Sequence, residues 1–211
     1  WGGDELVVWG KKLWDTTLDD GLTLIDRGIK THIITNHAGL PLLRDGGLVI
    51  GITDGDGYFY RGHFFYDLVK TSVIRMAFSL AEELHSRRIT SLAVTPGFLR
   101  SEMMLEHFGV SEANWRDAAK RVPSFIASET PLFVGRCVAA LAADPQVAAK
   151  NGRVFASWTL AEEYGIFDAD GTRPHFVRWL QEHQPQVAAG WKALDDTFYG
   201  YWGSVPYEVP G

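Results

Sequence analysis

Hydrophobic positions recur at helical spacing between Leu22 and Leu43, at Leu24, Ile25, Ile29, Ile33 and Ile34, before Pro41 and Gly46-Gly47 close the pattern. That spacing predicts a helix followed by a turn. The run Leu48 to Ile52 is short, apolar and bounded by glycines, which predicts a buried parallel strand. After the glycine-rich turn Asp54 to Gly57, a long amphipathic stretch from His63 to Arg87 carries Tyr66, Val69, Val73, Met76, Ala77, Leu80 and Leu84 on related turns. It reads as a second, longer helix. Ile89 to Val94 and Arg153 to Ser157 are two further strand-like runs, separated by an irregular segment from Ser101 to Phe125 and a helix over Pro131 to Ala143.

Strands alternating with helices of this length predict an α/β fold, a parallel sheet with helices on both faces. Three strands are fewer than such a sheet usually holds, so further strands are expected upstream of Trp1 or in another chain. The opening Trp1-Gly2-Gly3 reads as the middle of a domain. From Asp168 the texture changes: Trp179, Trp191, Phe198, Tyr199, Tyr201 and Trp202 are spaced among polar residues. The expected organisation is therefore a domain over 1–167 and an extension over 168–211, wrapped on the domain or on a partner subunit.

Composition narrows the partners. Of 211 residues, 46% are hydrophobic, enough apolar material for a sizeable core. A net charge of -6 with scattered Lys and Arg argues against nucleic acid and anionic lipid, leaving a small molecule as the expected ligand. No run reaches the ~20 apolar residues of a membrane helix. The single cysteine, Cys137, lies in an apolar run, reads as a small buried hydrophobe, and suits a reducing cytoplasm. Seven histidines form no His-x-x-x-His or Glu-linked pair, so no metal is expected. The acidic pairs Asp19-Asp20, Asp54 with Asp56, and Asp195-Asp196 read as solvated turns.

Tyr66 and Lys70 stand four residues apart, one helical turn, on one helix face. A nearby ammonium favours phenolate, so Tyr66 is expected to ionise below the ~10 of free tyrosine and to serve as a general acid or base. Alone, the spacing is common in surface helices. Its neighbours give it weight: Thr53 stands thirteen residues before Tyr66 at the end of a buried strand, and a second strand ends in Thr95-Pro96-Gly97-Phe98-Leu99-Arg100-Ser101. Carboxyl ends of parallel strands line the ligand crevice of an open α/β sheet.

Strand, hydroxyl residue, thirteen-residue gap, Tyr-x-x-x-Lys helix, strand, and Pro-Gly-x-x-x-Ser/Thr together resemble the active-site pattern of the short-chain dehydrogenase/reductase family, over about Trp1 to Asp170. The resemblance implies a Rossmann-like doubly wound sheet. It implies an oxidoreductase that uses NAD or NADP, which the sequence does not distinguish, to interconvert a carbonyl compound and an alcohol. Tyr66 would exchange the proton, Lys70 would tune it and hold the nicotinamide ribose, and Thr53 would hold the substrate oxygen. Pro96, Phe98, Leu99 and Ser101 would hold the nicotinamide carboxamide. The segment Met103, Met104, Leu105, Phe108 and Trp115 to Val122 falls where the family has a substrate lid, although core packing explains its apolar residues equally well. The two long helices would form a homodimer or homotetramer interface.

Two features depart from the pattern. No asparagine matches the family's helix-borne catalytic Asn near Ile25 to Gly28, and Asn36 lies too far along the helix. The one Gly-x-x-x-Gly-x-Gly spacing, Gly51, Gly55 and Gly57, falls between the strand and the Tyr66 helix and not at the family's cofactor-loop position, so at ~30 residues per βα unit roughly 90 upstream residues are expected to carry that loop. The alternative expectation is a non-catalytic relative that senses nucleotide or acts as a scaffold.

Overall fold

A computed structural model describes residues 3–191. Three parallel strands, β1 (Leu48–Ile52), β2 (Thr90–Thr95) and β3 (Val154–Ala156), form a sheet in the order β1-β2-β3. The helices that flank it are α1 (Leu18–Ile25), α2 (Thr31–Gly39), α3 (Phe64–Glu83), α4 (Glu102–Phe108), α5 (Pro131–Ala143), α6 (Ser157–Tyr164) and α7 (Phe176–His183).

Strand β2 is buried at all its positions because it has a strand on each side and helices over both faces. Alternation along it splits the core in two. Leu92 and Val94 pack with Phe133, Cys137 and Leu141 of α5 and with Leu160 and Ala161 of α6. Ala93 faces the other way, onto Ile74 and Ala77 of α3. Cys137 is fully buried, and burial pushes its thiol up to about 12, in keeping with its reading as a packing residue.

The helix read from Leu22 to Leu43 begins earlier, at Leu18, and is interrupted by a π turn over Asp26–Lys30. A widened turn rotates the residues after it relative to those before it, so Ile33 and Ile34 are more than half exposed while Leu24 is fully buried. Helix α1 approaches α3 through Gly21: a Cβ there would lie 2.2 Å from the Phe65 ring. Val7, Leu24, Phe65 and Val69 form one cluster at this contact.

Helix α3 starts where the His63 side chain accepts the Tyr66 backbone N–H at 3.4 Å, and it buries Phe65, Val69, Val73, Ile74, Ala77 and Ala81. Its first turn therefore delivers Tyr66 to the carboxyl end of the sheet. Three stretches not foreseen as helices are α4, inside the segment expected to be irregular, α6, which begins at Ser157 immediately after β3, and α7, inside the expected extension. Beyond Asp168 the described chain reaches Trp191, whose ring lies 4.3 Å from that of Phe59. Phe198, Tyr199, Tyr201, Trp202, Asp195 and Asp196, with Trp1 and Gly2, lie outside the described residues. Among the described residues no helix is long and apolar enough to cross a membrane.

Candidate active site

Two loops leave the same edge of the sheet. The first follows β1 and contains Thr53 to Tyr60; the second follows β2 and begins at Pro96. The Gly55 N–H donates to Thr95 Oγ1 at 2.7 Å and ties one loop to the other. Arg61 is buried beneath the first loop, where its guanidinium donates to the carbonyls of Asp54, Gly55, Gly57 and Phe59 and to Asp67 and Thr71. A planar fork with five donors suits a turn whose carbonyls point inward.

Tyr66 and Lys70 share one face of α3, with the Lys70 ammonium 5.2 Å from the centre of the Tyr66 ring. The Tyr66 hydroxyl donates to Asp54 Oδ2 at 2.9 Å, and the edge of Trp9 meets its ring at 5.1 Å. Burial raises the Tyr66 phenol well above its ordinary value, and the Asp54 charge and hydrogen bond raise it further, as does Asp4. This reverses the expected lowering, because burial disfavours phenolate and a carboxylate that accepts the phenol proton further stabilises the neutral form. Burial also lowers Lys70 from its ordinary value, with Arg61 acting in the same sense and Asp54 and Asp4 opposing.

Thr53 is buried beside Lys70, and its hydroxyl donates to the Lys70 carbonyl at 2.6 Å. That bond is a departure from the expected orientation toward an open crevice: the hydroxyl satisfies the helix backbone. Ser101 caps α4 by accepting the Met104 N–H at 3.3 Å. The ring of Phe98 stands among Phe108, Phe125 and Phe176, with centroid separations of 5.0 to 6.4 Å. Leu99 pairs with Glu129 as an isolated parallel bridge. Pro96 and Gly97 lead into this segment directly from β2.

The two meanings left open for the segment after Ser101 separate here. Phe108, Trp115 and Ala118 are buried around Phe125, and Met104, Leu105 and Val122 pack against them, so these residues form a satellite core. Met103 is half exposed.

No family model matches the sequence. The human protein named Dehydrogenase/reductase SDR family member 1 is 28% identical over 164 residues, which cover 76% of this chain and 52% of that protein. A solved short-chain dehydrogenase/reductase from Serratia marcescens matches with a TM-score of 0.57 at 19% identity, over 71% of this chain and 60% of the other. The chain is thus similar in sequence to one protein named for this family and in fold to solved short-chain dehydrogenases/reductases. An angucycline C-6 ketoreductase, LanV, solved with bound NADP, has the same fold, with a TM-score of 0.56 at 21% identity over 72% of this chain and 57% of that one. The chain spans about half the length of the curated relatives it matches.

The fold brings Thr53, Tyr66 and Lys70 together, with Pro96 at the neighbouring strand end. It also brings in groups that sequence reasoning assigned elsewhere. Asp54 and Asp56 are not solvated turn residues: Asp54 accepts from Tyr66, and Asp56 accepts the Trp191 indole N–H at 2.8 Å while burial raises its carboxyl above the usual range. The signal for Asp54 was its place immediately after Thr53. Asp4 and Trp9 had no comparable signal, since their position beside Lys70 and Tyr66 depends on the packing of Val7 against α1 and α3.

A phenol and an ammonium one turn apart supply O–H and N–H donors suited to a ribose diol or a carbonyl oxygen, which fits the nicotinamide end of a dinucleotide. The sequence's one Gly-x-x-x-Gly-x-Gly spacing, Gly51 to Gly57, is committed within the chain: the Gly55 N–H donates to Thr95, and the Gly55 and Gly57 carbonyls accept from Arg61.

Proposed function

We propose that the natural protein containing this chain is an NAD(P)-dependent oxidoreductase that interconverts a carbonyl compound and an alcohol. The observation that carries this reading is the meeting of Tyr66 and Lys70 on α3 with Thr53 at the adjacent strand end. The relationship to the human protein supports it, and so does a fold shared with an NADP-bound ketoreductase.

In reduction, Tyr66 gives its proton to the substrate oxygen, and in oxidation it receives the alcohol proton. Asp54 yields its place on the Tyr66 hydroxyl to that oxygen. Lys70 holds the nicotinamide ribose and, as a partly buried cation, favours the charge that develops on the phenol. Thr53 fixes the first turns of α3 through the Lys70 carbonyl. Pro96, Phe98, Leu99 and Ser101 form the wall for the nicotinamide carboxamide. The cofactor supplies or accepts the hydride, and the chain orients it. The expected cytoplasmic location and a homo-oligomer through α1, α2 and α3 belong to the same proposal; the exposure of Ile33, Ile34 and Leu68 supports the second.

A non-catalytic sensing or scaffolding role is the rival, favoured by the engagement of both hydroxyls within the chain, Tyr66 with Asp54 and Thr53 with the Lys70 carbonyl. The test is to express the full natural coding sequence, screen carbonyl compounds and alcohols with each nicotinamide nucleotide, and compare Tyr66→Phe. Turnover by wild type that falls at least ~100-fold in the variant, with nucleotide affinity retained, is expected for the loss of a general acid. Nucleotide binding without turnover in either protein would establish the rival.

A further inference from the structure

Glu129 lies outside the Tyr66–Lys70 pair but grips the loop that follows β2 along its length. Its N–H donates to the Phe98 carbonyl at 2.9 Å, its carbonyl accepts from the Arg100 N–H at 2.7 Å, and Leu99 pairs with it between these two bonds. Its side chain adds a third hold: Oε2 accepts the Gly97 N–H at 2.9 Å. The same oxygen accepts the Ser157 hydroxyl at 2.6 Å. Glu129 is 1% exposed, and its other oxygen, Oε1, is buried with no hydrogen-bond partner among the described residues.

Gly97 belongs to this arrangement. A Cβ there would lie 3.0 Å from Glu129 Oε2 and 3.2 Å from Phe176 Cβ, so the turn after Pro96 closes directly on the carboxylate. Burying an acid with one oxygen unsatisfied is costly, and an amide could accept the same Gly97 N–H without the charge. The acid therefore supplies something that a neutral side chain would not.

We propose that Glu129 is a positioning residue that holds the Gly97–Arg100 backbone against the nicotinamide end of the bound nucleotide, and that nucleotide affinity follows the ionisation of its carboxyl. The inference rests on the oxidoreductase reading above. An ionised carboxylate accepts from Gly97 and Ser157 about twice as strongly as a neutral acid, so the loop is held tightest in the ionised form. Burial pushes the Glu129 carboxyl up to about 7, the Ser157 and Gly97 hydrogen bonds oppose the rise, and the Asp168 charge adds to it. Around it, the segment after α6 brings Asp168, α5 brings Cys137, and the β3–α6 junction and α7 bring Ser157, Trp158 and Phe176. The Arg100 guanidinium is committed to Ser128 and Glu112.

The experiment measures nicotinamide nucleotide affinity of the full natural protein by tryptophan quenching, from about pH 6 to about pH 8, with hydrogen exchange at the Gly97 amide as a second readout. Wild type is expected to bind about tenfold more weakly at the acidic end, with lower protection at Gly97, the equivalent of roughly one strengthened hydrogen bond. Glu129→Gln is expected to show neither dependence. Should that variant not fold, Ser157→Ala removes a bond that favours the carboxylate and is expected to move the wild-type midpoint to higher pH. Equal pH dependence in wild type and Glu129→Gln, or an unmoved midpoint in Ser157→Ala, would overturn the role of Glu129 and leave the enzyme reading standing. A wild-type protein that binds no nicotinamide nucleotide would overturn both.

Discussion

The Tyr66 hydroxyl donates to the Asp54 carboxylate at 2.9 Å, and this contact adds to the burial that reverses the protonation behaviour a lysine one turn away would impose. Replacing Asp54 with Asn leaves an acceptor but removes the charge. Asp54→Asn should therefore lower the pH at which Tyr66 ionises, though burial, the larger cause, should keep it above the ordinary tyrosine value. An ultraviolet difference titration against a Tyr66→Phe background reads the midpoint. No movement would show that Asp54 does not act on the phenol.

Arg61 donates to four loop carbonyls besides Asp67 and Thr71, so the shape of the loop carrying Asp54 rests on one guanidinium. Lysine keeps the charge but cannot span this set. Arg61→Lys should cost about 2–4 kcal/mol, because it leaves buried carbonyls unpaired. Urea unfolding checks the figure; a loss below about 0.5 kcal/mol, the range of ordinary surface changes, would contradict it.

Phe108 and Met103 sit on one short helix with opposite surroundings, the first 8% exposed in an aromatic cluster and the second 50% exposed. Truncating Phe108 to alanine should cost about 3–5 kcal/mol. Truncating Met103 should cost less than about 0.5 kcal/mol. Similar small costs for both would return this segment to the role of a lid.

The three strands and the long helix α3 were legible in the sequence because short β-branched runs bounded by glycines and a sustained helical period are local signals. The placement of Tyr66 beside Lys70 follows from the same period. Asp54 could not be read as their partner, since a carboxylate in an Asp-Gly-Asp-Gly turn looks solvated until Arg61 folds the turn inward. The orientation of Thr53 depends on how closely α3 sits on β1, where a Cβ at Gly51 would come within 2.7 Å of Val73 Cγ1. The grip of Glu129 on Gly97 joins residues 32 positions apart and left no trace in any local pattern.

The Glu129 carboxyl moves from an ordinary 4.5 to about 7 in the folded chain. A carboxyl raised in the folded state stabilises it fully below the unfolded value, and that contribution is lost as pH rises through the folded value. Between about pH 4.5 and pH 8, Glu129→Gln should therefore gain on the order of 2–3 kcal/mol relative to wild type. Denaturant unfolding across this range measures it. A constant difference between the two proteins would mean that the carboxyl titrates at its ordinary value.

The most direct measurement of the central claim follows the hydride. The full natural protein is given a carbonyl substrate found by screening and reduced nicotinamide nucleotide deuterated at its transferable position. Mass spectrometry then locates the label in the alcohol. The predicted result is deuterium on the former carbonyl carbon with wild type and strongly suppressed formation of labelled product with Tyr66→Phe. Alcohol that carries no label, or equal labelled product from both proteins, would contradict hydride transfer assisted by Tyr66.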